Sequence, residues 1–207
     1  MEIASIATGA FMEICYIVWN SSRQAIVFDP GDDAERILEA LAKRELDVAA
    51  YVCTHGHTDH ISALTTLHDQ RPAPIAIHSK DLEWAFEESN RLEPYYSVPR
   101  RPDPNAFELL DQASDWDFGG LHFQVIETPG HTPGGCCLLF PESGILISGD
   151  TLFKGSCGRT DLPGGNVRLL KDSLAKLKQL PDNVSVYPGH GPETTIGSER
   201  ISNFFMK

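Results

Sequence analysis

Apolar positions along the chain fall into short runs whose spacing changes from segment to segment. ICYIVW at 14–19 and AIVF at 25–28 flank the polar Asn20-Ser21-Ser22-Arg23 and predict a β-hairpin. Asp29-Pro30-Gly31 breaks the second strand. From 33 to 44 the period lengthens: Ile37, Leu38 and Leu41 share one face of a helix. Residues 48–53 then predict a buried strand, 61–68 a second helix with Ile61, Leu64 and Leu67 on one side, 75–77 a short strand and 80–88 a third helix. In the second half, strands are expected at 121–126, 135–140, 144–148 and 184–187. A helix is expected at 166–179, with Leu169, Leu170, Leu174 and Leu177 as its buried stripe. Strands with helices thus occur twice, which predicts two sheets packed face to face with helices outside. Residues 90–105 break the pattern, because Pro94, Pro99, Pro102 and Pro104 forbid a regular helix. A long loop inside a compact domain is usually functional or disordered.

Composition sharpens this picture. The chain has 207 residues, 41% hydrophobic and 22% charged, as expected of a globular protein with a single domain over residues 1–207. A chain of this length buries about 70% of its unfolded surface and needs no disulfide staples. No apolar run reaches the roughly 18 residues of a membrane span. Met1-Glu2-Ile3-Ala4-Ser5 has no basic n-region, so no signal peptide is expected and the predicted location is cytoplasmic. With 29 acidic against 17 basic residues, the formal charge is −12, which argues against a nucleic-acid partner. The five cysteines (Cys15, Cys53, Cys136, Cys137, Cys157) form no C-x-x-C pair, so zinc-ribbon and thioredoxin readings fail and packing roles are expected.

Three of the eight histidines sit in one hexapeptide, His55-Gly56-His57-Thr58-Asp59-His60, between an apolar strand and a helix. His55 and His57, two apart in an extended loop, can aim both imidazoles the same way. Asp59 and His60 lie just past them, where the backbone turns into the helix. That spacing suits two cations about 3.5–4 Å apart. More ligands follow, each just beyond an apolar strand: His131 in Thr128-Pro129-Gly130-His131-Thr132-Pro133-Gly134, Asp150 in Ser148-Gly149-Asp150-Thr151, and His190 in Tyr187-Pro188-Gly189-His190-Gly191-Pro192. His55, His57 and His131 make a nitrogen-rich site; Asp59, His60 and His190 make a mixed one; Asp150 can bridge the two. A hydroxide shared by two divalent ions forms near pH 7. His68, His78 and His122 stand alone and are expected to be surface or satisfied core residues.

The first of these motifs, Thr54 to His60, resembles in full that of the metallo-β-lactamase superfamily, and within it the glyoxalase II-like hydrolases, and the later ones follow in the family's order. The stretch Gly149-Asp150-Thr151-Leu152-Phe153-Lys154-Gly155-Ser156-Cys157-Gly158-Arg159-Thr160-Asp161 is similar to that of single-domain bacterial type II glyoxalases. The resemblance implies an α/β (α+β) fold, a four-layer αββα sandwich with the cations at one edge between the sheets. It implies zinc as the usual metal, with iron or manganese as alternatives. The two-domain relatives carry a C-terminal helical domain that supplies basic residues to glutathione, and no such domain is expected here. Where that family has Lys and Tyr after the Asp motif, this chain has Arg159 and Asp161. The B1 lactamases place a cysteine where Asp150 stands, which disfavours antibiotic hydrolysis.

The expected activity is therefore hydrolysis of a small-molecule thioester of the hydroxyacylglutathione type, such as S-lactoylglutathione. The bridging hydroxide would attack the carbonyl carbon while the cations offset the developing charge. Asp59 and Asp150 would tune its basicity. A thiolate with pKa near 8.5 leaves without a proton donor, whereas an amine would need one. Lys154, Arg159, Tyr95, Tyr96, Arg100 and Arg101 are the expected substrate contacts, with 90–105 as a lid over an anionic thiol carrier. Persulfide dioxygenases also resemble this chain, including its Gly158-Arg159-Thr160-Asp161 stretch; they use one iron on the equivalents of His55, His131 and Asp150. A metal-stabilised module without turnover is the third expectation.

Overall fold

Two six-stranded sheets carry the apolar runs in the computed structural model, which describes residues 1–207. The first half runs β1 (Glu2–Thr8), β2 (Glu13–Trp19), β3 (Gln24–Phe28), α1 (Ala34–Lys43), β4 (Asp47–Val52), α2 (Thr58–Ile61), α3 (Leu64–Gln70), β5 (Ile75–Ile77), α4 (Ser79–Leu82) and β6 (Phe107–Leu109). The second half runs β7 (Asp115–Phe118), β8 (Leu121–Glu127), β9 (Cys136–Phe140), β10 (Ile145–Gly149), a small ribbon of β11 (Leu152–Phe153) and β12 (Ser156–Cys157), α5 (Val167–Leu177), β13 (Ser185–Pro188), β14 (Thr194–Thr195) and α6 (Ile196–Ser202). Strand order is β1-β2-β3-β4-β5-β6 in one sheet and β14-β13-β10-β9-β8-β7 in the other. The parallel pairs β3–β4, β4–β5, β5–β6 and β10–β13 are those whose connections contain helices, because parallel neighbours need a crossover.

The alternation of side chains along each strand sorts the core into layers. Cys15, Ile17 and Trp19 join Val27, Tyr51 and Ile75 on the outer face of the first sheet, under Ile37 and Leu41 of α1 and Leu64 and Leu67 of α3. Tyr16, Val18, Ile26 and Phe28 point the other way and meet Phe123, Leu138, Phe140 and Ile147 of the second sheet. Cys137, Leu139, Leu146 and Val186 form that sheet's outer face, covered by Leu170, Leu174 and Leu177 of α5 and Ile196 of α6. The result is the expected αββα sandwich. The central strands are buried on both faces, which is why they read as unbroken apolar runs.

Several elements differ from expectation. The helix expected over 61–68 is two pieces, α2 and α3, because the Ala63 N–H turns aside to the carbonyls of Pro30 and Gly31. The helix expected over 80–88 is only the short α4. Beyond it, the Asn90 side chain donates to the carbonyls of Ala85 (2.6 Å) and Gly56 (2.7 Å), capping the segment and turning it toward the hexapeptide. Leu169 is exposed rather than part of the α5 stripe. Ser173 takes the buried place, its hydroxyl donating to the Pro129 carbonyl at 2.8 Å. β1, β6 and β7 had no clear apolar signature; β1 is a half-exposed strand that owes its place to pairing with β2 along its length. All five cysteines are unpaired, and burial pushes the Cys137 thiol up to about 11. No helix is long and apolar enough to cross a membrane.

Candidate metal centre

Seven side chains that the sequence scatters over 136 positions meet where strand ends of both sheets open onto the same edge. β4 ends at Val52, and the chain leaves it through Thr54 and His55 before α2 begins at Thr58. α2 then carries Asp59 and His60. From the second sheet, His131 sits between β8 and β9, Asp150 directly follows β10, and His190 follows β13. Gly189 allows that last approach: a Cβ there would strike the Asp150 carboxylate and the His60 ring.

The ligand-capable atoms gather in three overlapping groups: His55 with His57 and His131, Asp59 with His60 and His190, and Asp29 with His55 and His60. Within the first, His57 Nδ1 and His131 Nε2 are 2.9 Å apart. Within the second, His190 Nε2 lies 3.4 Å and His60 Nε2 3.9 Å from Asp59 Oδ2. Asp150 stands between these two: its Oδ1 is 3.5 Å from His60 Nε2, and its Oδ2 is 3.5 Å from His131 Nε2 and 3.7 Å from His190 Nε2. This is the arrangement expected of one carboxylate shared by two sites.

Four imidazoles are held by the ring nitrogen that faces away from the centre. His55 Nδ1 meets Thr54 Oγ1 at 3.0 Å, His60 Nδ1 meets Asp29 Oδ2 at 3.1 Å, His131 Nδ1 meets the Arg159 carbonyl at 2.8 Å and His190 Nδ1 meets the Phe11 carbonyl at 3.2 Å. Each such contact turns Nε2 inward. Three inward atoms, His55 Nε2, His60 Nε2 and Asp150 Oδ1, are buried without any hydrogen-bond partner. Buried polar atoms are rarely left unpaired, so these orphans fit a divalent cation in each cluster.

Electrostatics separates the two clusters. Burial, reinforced by neighbouring imidazoles, drives His55 well below the ordinary histidine value and His57 down to about 3, so the first cluster presents neutral lone pairs. Burial alone would also depress His60, but Asp150, Asp59 and Asp29 outweigh it and hold its pKa well above the ordinary value. His190 is raised in the same way, burial being overcome by Asp59 and Asp150. Burial would raise Asp59, yet His60 and His190 keep its carboxyl below the usual carboxylate range. The second cluster therefore draws in positive charge.

Asp29, which sequence reasoning took only as a strand breaker, is part of this framework. It sits at φ 45°, a conformation aspartate adopts more readily than most residues. Its carboxylate accepts from the Thr54 amide and hydroxyl, both at 2.6 Å, as well as facing His60.

A cavity of about 790 Å³ opens from the centre. Its walls include Phe11, Trp84, Leu92, Phe153 and Leu162, none of which sequence reasoning singled out. Of the six expected substrate contacts, Arg159 lines it and the other five do not. Arg100 pairs with Asp69 at 2.6 Å, and Arg101 lies over the Phe86 and Phe107 rings, away from the opening. Tyr96 is buried, its hydroxyl accepting from the Ala10 amide at 3.0 Å, and Tyr95 packs on Phe11. Lys154 is exposed outside the cavity. Of the 90–105 segment expected as a lid, residues 90–92 form wall and the rest does not.

Residues 8–190 match the family described as the metallo-beta-lactamase superfamily. The hydroxyacylglutathione hydrolase GloC of Haemophilus influenzae is 31% identical over 208 residues, covering 100% of this chain and 98% of that one. Among solved structures, BLEG-1 B3 metallo-beta-lactamase superposes with a TM-score of 0.92 at 36% identity, covering 100% of both chains. ETHE1 from Myxococcus xanthus gives 0.77 at 28% identity, covering 99% of this chain and 84% of that one.

Proposed function

The chain belongs to the metallo-β-lactamase superfamily, and from that premise we propose that it is a metal-dependent hydrolase of thioesters of the hydroxyacylglutathione type. The observation that carries the reading is the position of Asp150, one oxygen toward His60 and the other toward His131 and His190, beside orphaned imidazole nitrogens of both clusters. In this reading His55, His57 and His131 hold one cation, Asp59, His60 and His190 hold a second, and Asp150 holds both. Zinc suits the nitrogen-rich set, and the same donors accept iron or manganese.

Bound there, a pair of divalent cations supplies Lewis acidity toward a carbonyl oxygen and lowers the pKa of water toward 7. The chain does the rest. Asp59, kept ionised by His60 and His190, and Asp150 set the basicity of the attacking water. The walls orient the substrate and exclude bulk solvent from the carbonyl carbon. No lysine or tyrosine lines the cavity to protonate a departing amine, whereas a thiolate with pKa near 8.5 leaves unaided. The likeness to GloC supports glutathione as the carrier thiol.

The likeness to ETHE1, together with the Gly158-Arg159-Thr160-Asp161 stretch, favours a second reading, a persulfide dioxygenase with one iron on His55, His131 and Asp150. The deciding experiment counts metals in the purified chain and measures S-lactoylglutathione hydrolysis with and without chelator, alongside oxygen uptake on glutathione persulfide. Two metals per chain and chelator-sensitive hydrolysis are expected. One iron per chain with rapid oxygen consumption would transfer the assignment to the dioxygenase. Two tightly held metals with neither activity would indicate a non-catalytic metal-binding module.

A further inference from the structure

Between the two loops that carry His57 and His131 lies a carboxylate that the chemistry above does not use. Asp81, on α4 just beyond the end of β5, is fully buried. Its Oδ2 accepts from the Gly56 amide at 2.9 Å and from the Thr132 hydroxyl at 2.7 Å. Its Oδ1 accepts from the Gly134 amide at 2.6 Å. Gly56 separates His55 from His57, and Thr132 and Gly134 follow His131. One side chain therefore gathers donors from a loop of each sheet. The fit is close: a Cβ on Gly134 would collide with the Asp81 carboxylate.

The Cys136 amide and thiol also join the loops, donating to the Thr54 carbonyl at 2.9 and 3.3 Å, but Thr54 lies on the far side of His55 from His57 in the chain. The Asn90 amide holds the Gly56 carbonyl but does not reach the His131 loop. The contact between His57 and His131 is itself between two of the groups that must face the cation. The second cluster depends on other supports: α2 carries Asp59 and His60, Asp29 holds His60, and the Phe11 carbonyl holds His190.

We propose that Asp81 is a positioning residue that fixes the separation of His57 and His131, and thereby the affinity of the three-histidine cluster for its cation. This rests on the reading of His55, His57 and His131 as metal ligands. Its physical basis is that three donors converge on an anion, each hydrogen bond stronger than its neutral counterpart. Replacing Asp81 with asparagine leaves the volume unchanged but turns one acceptor into an NH2 group that faces a donor. The loops then part, and outer contacts of this kind are worth roughly 10- to 100-fold in metal affinity.

The test is metal affinity rather than turnover. Wild type, Asp81→Asn and Thr132→Val are stripped and titrated with cobalt(II) against a competing chelator, following the d–d absorption of each site. Wild type is expected to fill two sites. Asp81→Asn should weaken one site roughly 10- to 100-fold and leave the other within about twofold. Thr132→Val, which removes one donor and no charge, should weaken the same site by a smaller factor and carries the test if Asp81→Asn does not fold. Unchanged affinities, or equal weakening of both sites, would overturn the proposal while leaving the hydrolase reading intact. Failure of wild type to bind cobalt at all would bring down the ligand assignment itself.

Discussion

The backbone of Arg159 holds a ring whose other side faces the candidate metal centre: its carbonyl oxygen lies 2.8 Å from His131 Nδ1, and the same residue lines the cavity. In the proposed reading, ligand orientation falls to the main chain of this residue and substrate contact to its side chain.

Replacing Arg159 with alanine should therefore leave metal content unchanged and raise KM for S-lactoylglutathione about five- to tenfold, from the loss of one charge-assisted contact. The guanidinium is also engaged by Asp161 through two 2.7 Å hydrogen bonds. Both side chains are more than half exposed, 61% and 67%, so solvent screens the pair and a substrate carboxylate can displace it. Asp161→Asn should then lower the same KM by up to about fivefold. Steady-state kinetics on both variants checks this, and an unchanged KM in Arg159→Ala would remove the residue from substrate binding.

Asp29→Ala should cost roughly 2–4 kcal/mol of stability, because it strips the Thr54 amide and hydroxyl of their acceptor and leaves His60 without its outer partner. Glu13, 3.8 Å from His60 Nδ1, is a poorer partner, since burial pushes its carboxyl well above the ordinary value. Denaturant unfolding measures the loss, and an effect below about 0.5 kcal/mol would show that Asp29 is dispensable.

Stability of the metal-free protein should depend on pH in two directions. His55 and His57 are depressed on folding, so the unfolded chain binds more protons, and stability falls as pH drops from 6.5 toward about 3. His60 and His190 are raised, so their contribution is complete below 6.5 and is lost as pH climbs through their folded values. Loading the cations should abolish the alkaline limb, because the cation then supplies the charge that the protons supplied. Melting curves across pH, with and without metal, test it; an alkaline limb unaffected by metal would contradict it.

Chelation should lower the melting temperature as well as the activity. At free metal a thousandfold above Kd, an occupied site adds about 4 kcal/mol, and for a domain of this size each kcal/mol is worth roughly 2–4 °C. Each site emptied should therefore lower Tm by roughly 8–16 °C, readable by calorimetry and reversible on adding metal back.

How much of this was legible beforehand depended on whether a role leaves a local trace. The hexapeptide at 55–60 is contiguous, and His131, Asp150 and His190 each follow an apolar strand beside glycine, so their meeting could be anticipated from the chain. Asp29 could not, because Asp-Pro-Gly after a strand reads as a turn whatever its carboxylate touches. Asp81 gave no signal, since an acidic residue in the first turn of an expected helix is ordinarily solvated. The cavity walls were equally silent: Phe11, Trp84 and Leu92 look like core or surface residues until distant segments are brought together. Charge misled in the other direction, since Arg100 and Arg101 seemed suited to an anionic carrier but bind Asp69 and two aromatic rings.

The walls of the cavity come largely from stretches that bear none of the seven gripping groups: the β1–β2 turn with Phe11, the segment from Trp84 to Leu92, and the loop from Arg159 to Gly164. Each of these stretches also steadies a gripping group, through the Phe11 carbonyl on His190, the Asn90 side chain on Gly56 and Thr58, and the Arg159 carbonyl on His131. Descendants of this scaffold can exchange clientele through the side chains of three surface turns only while those backbone and Asn90 contacts are kept.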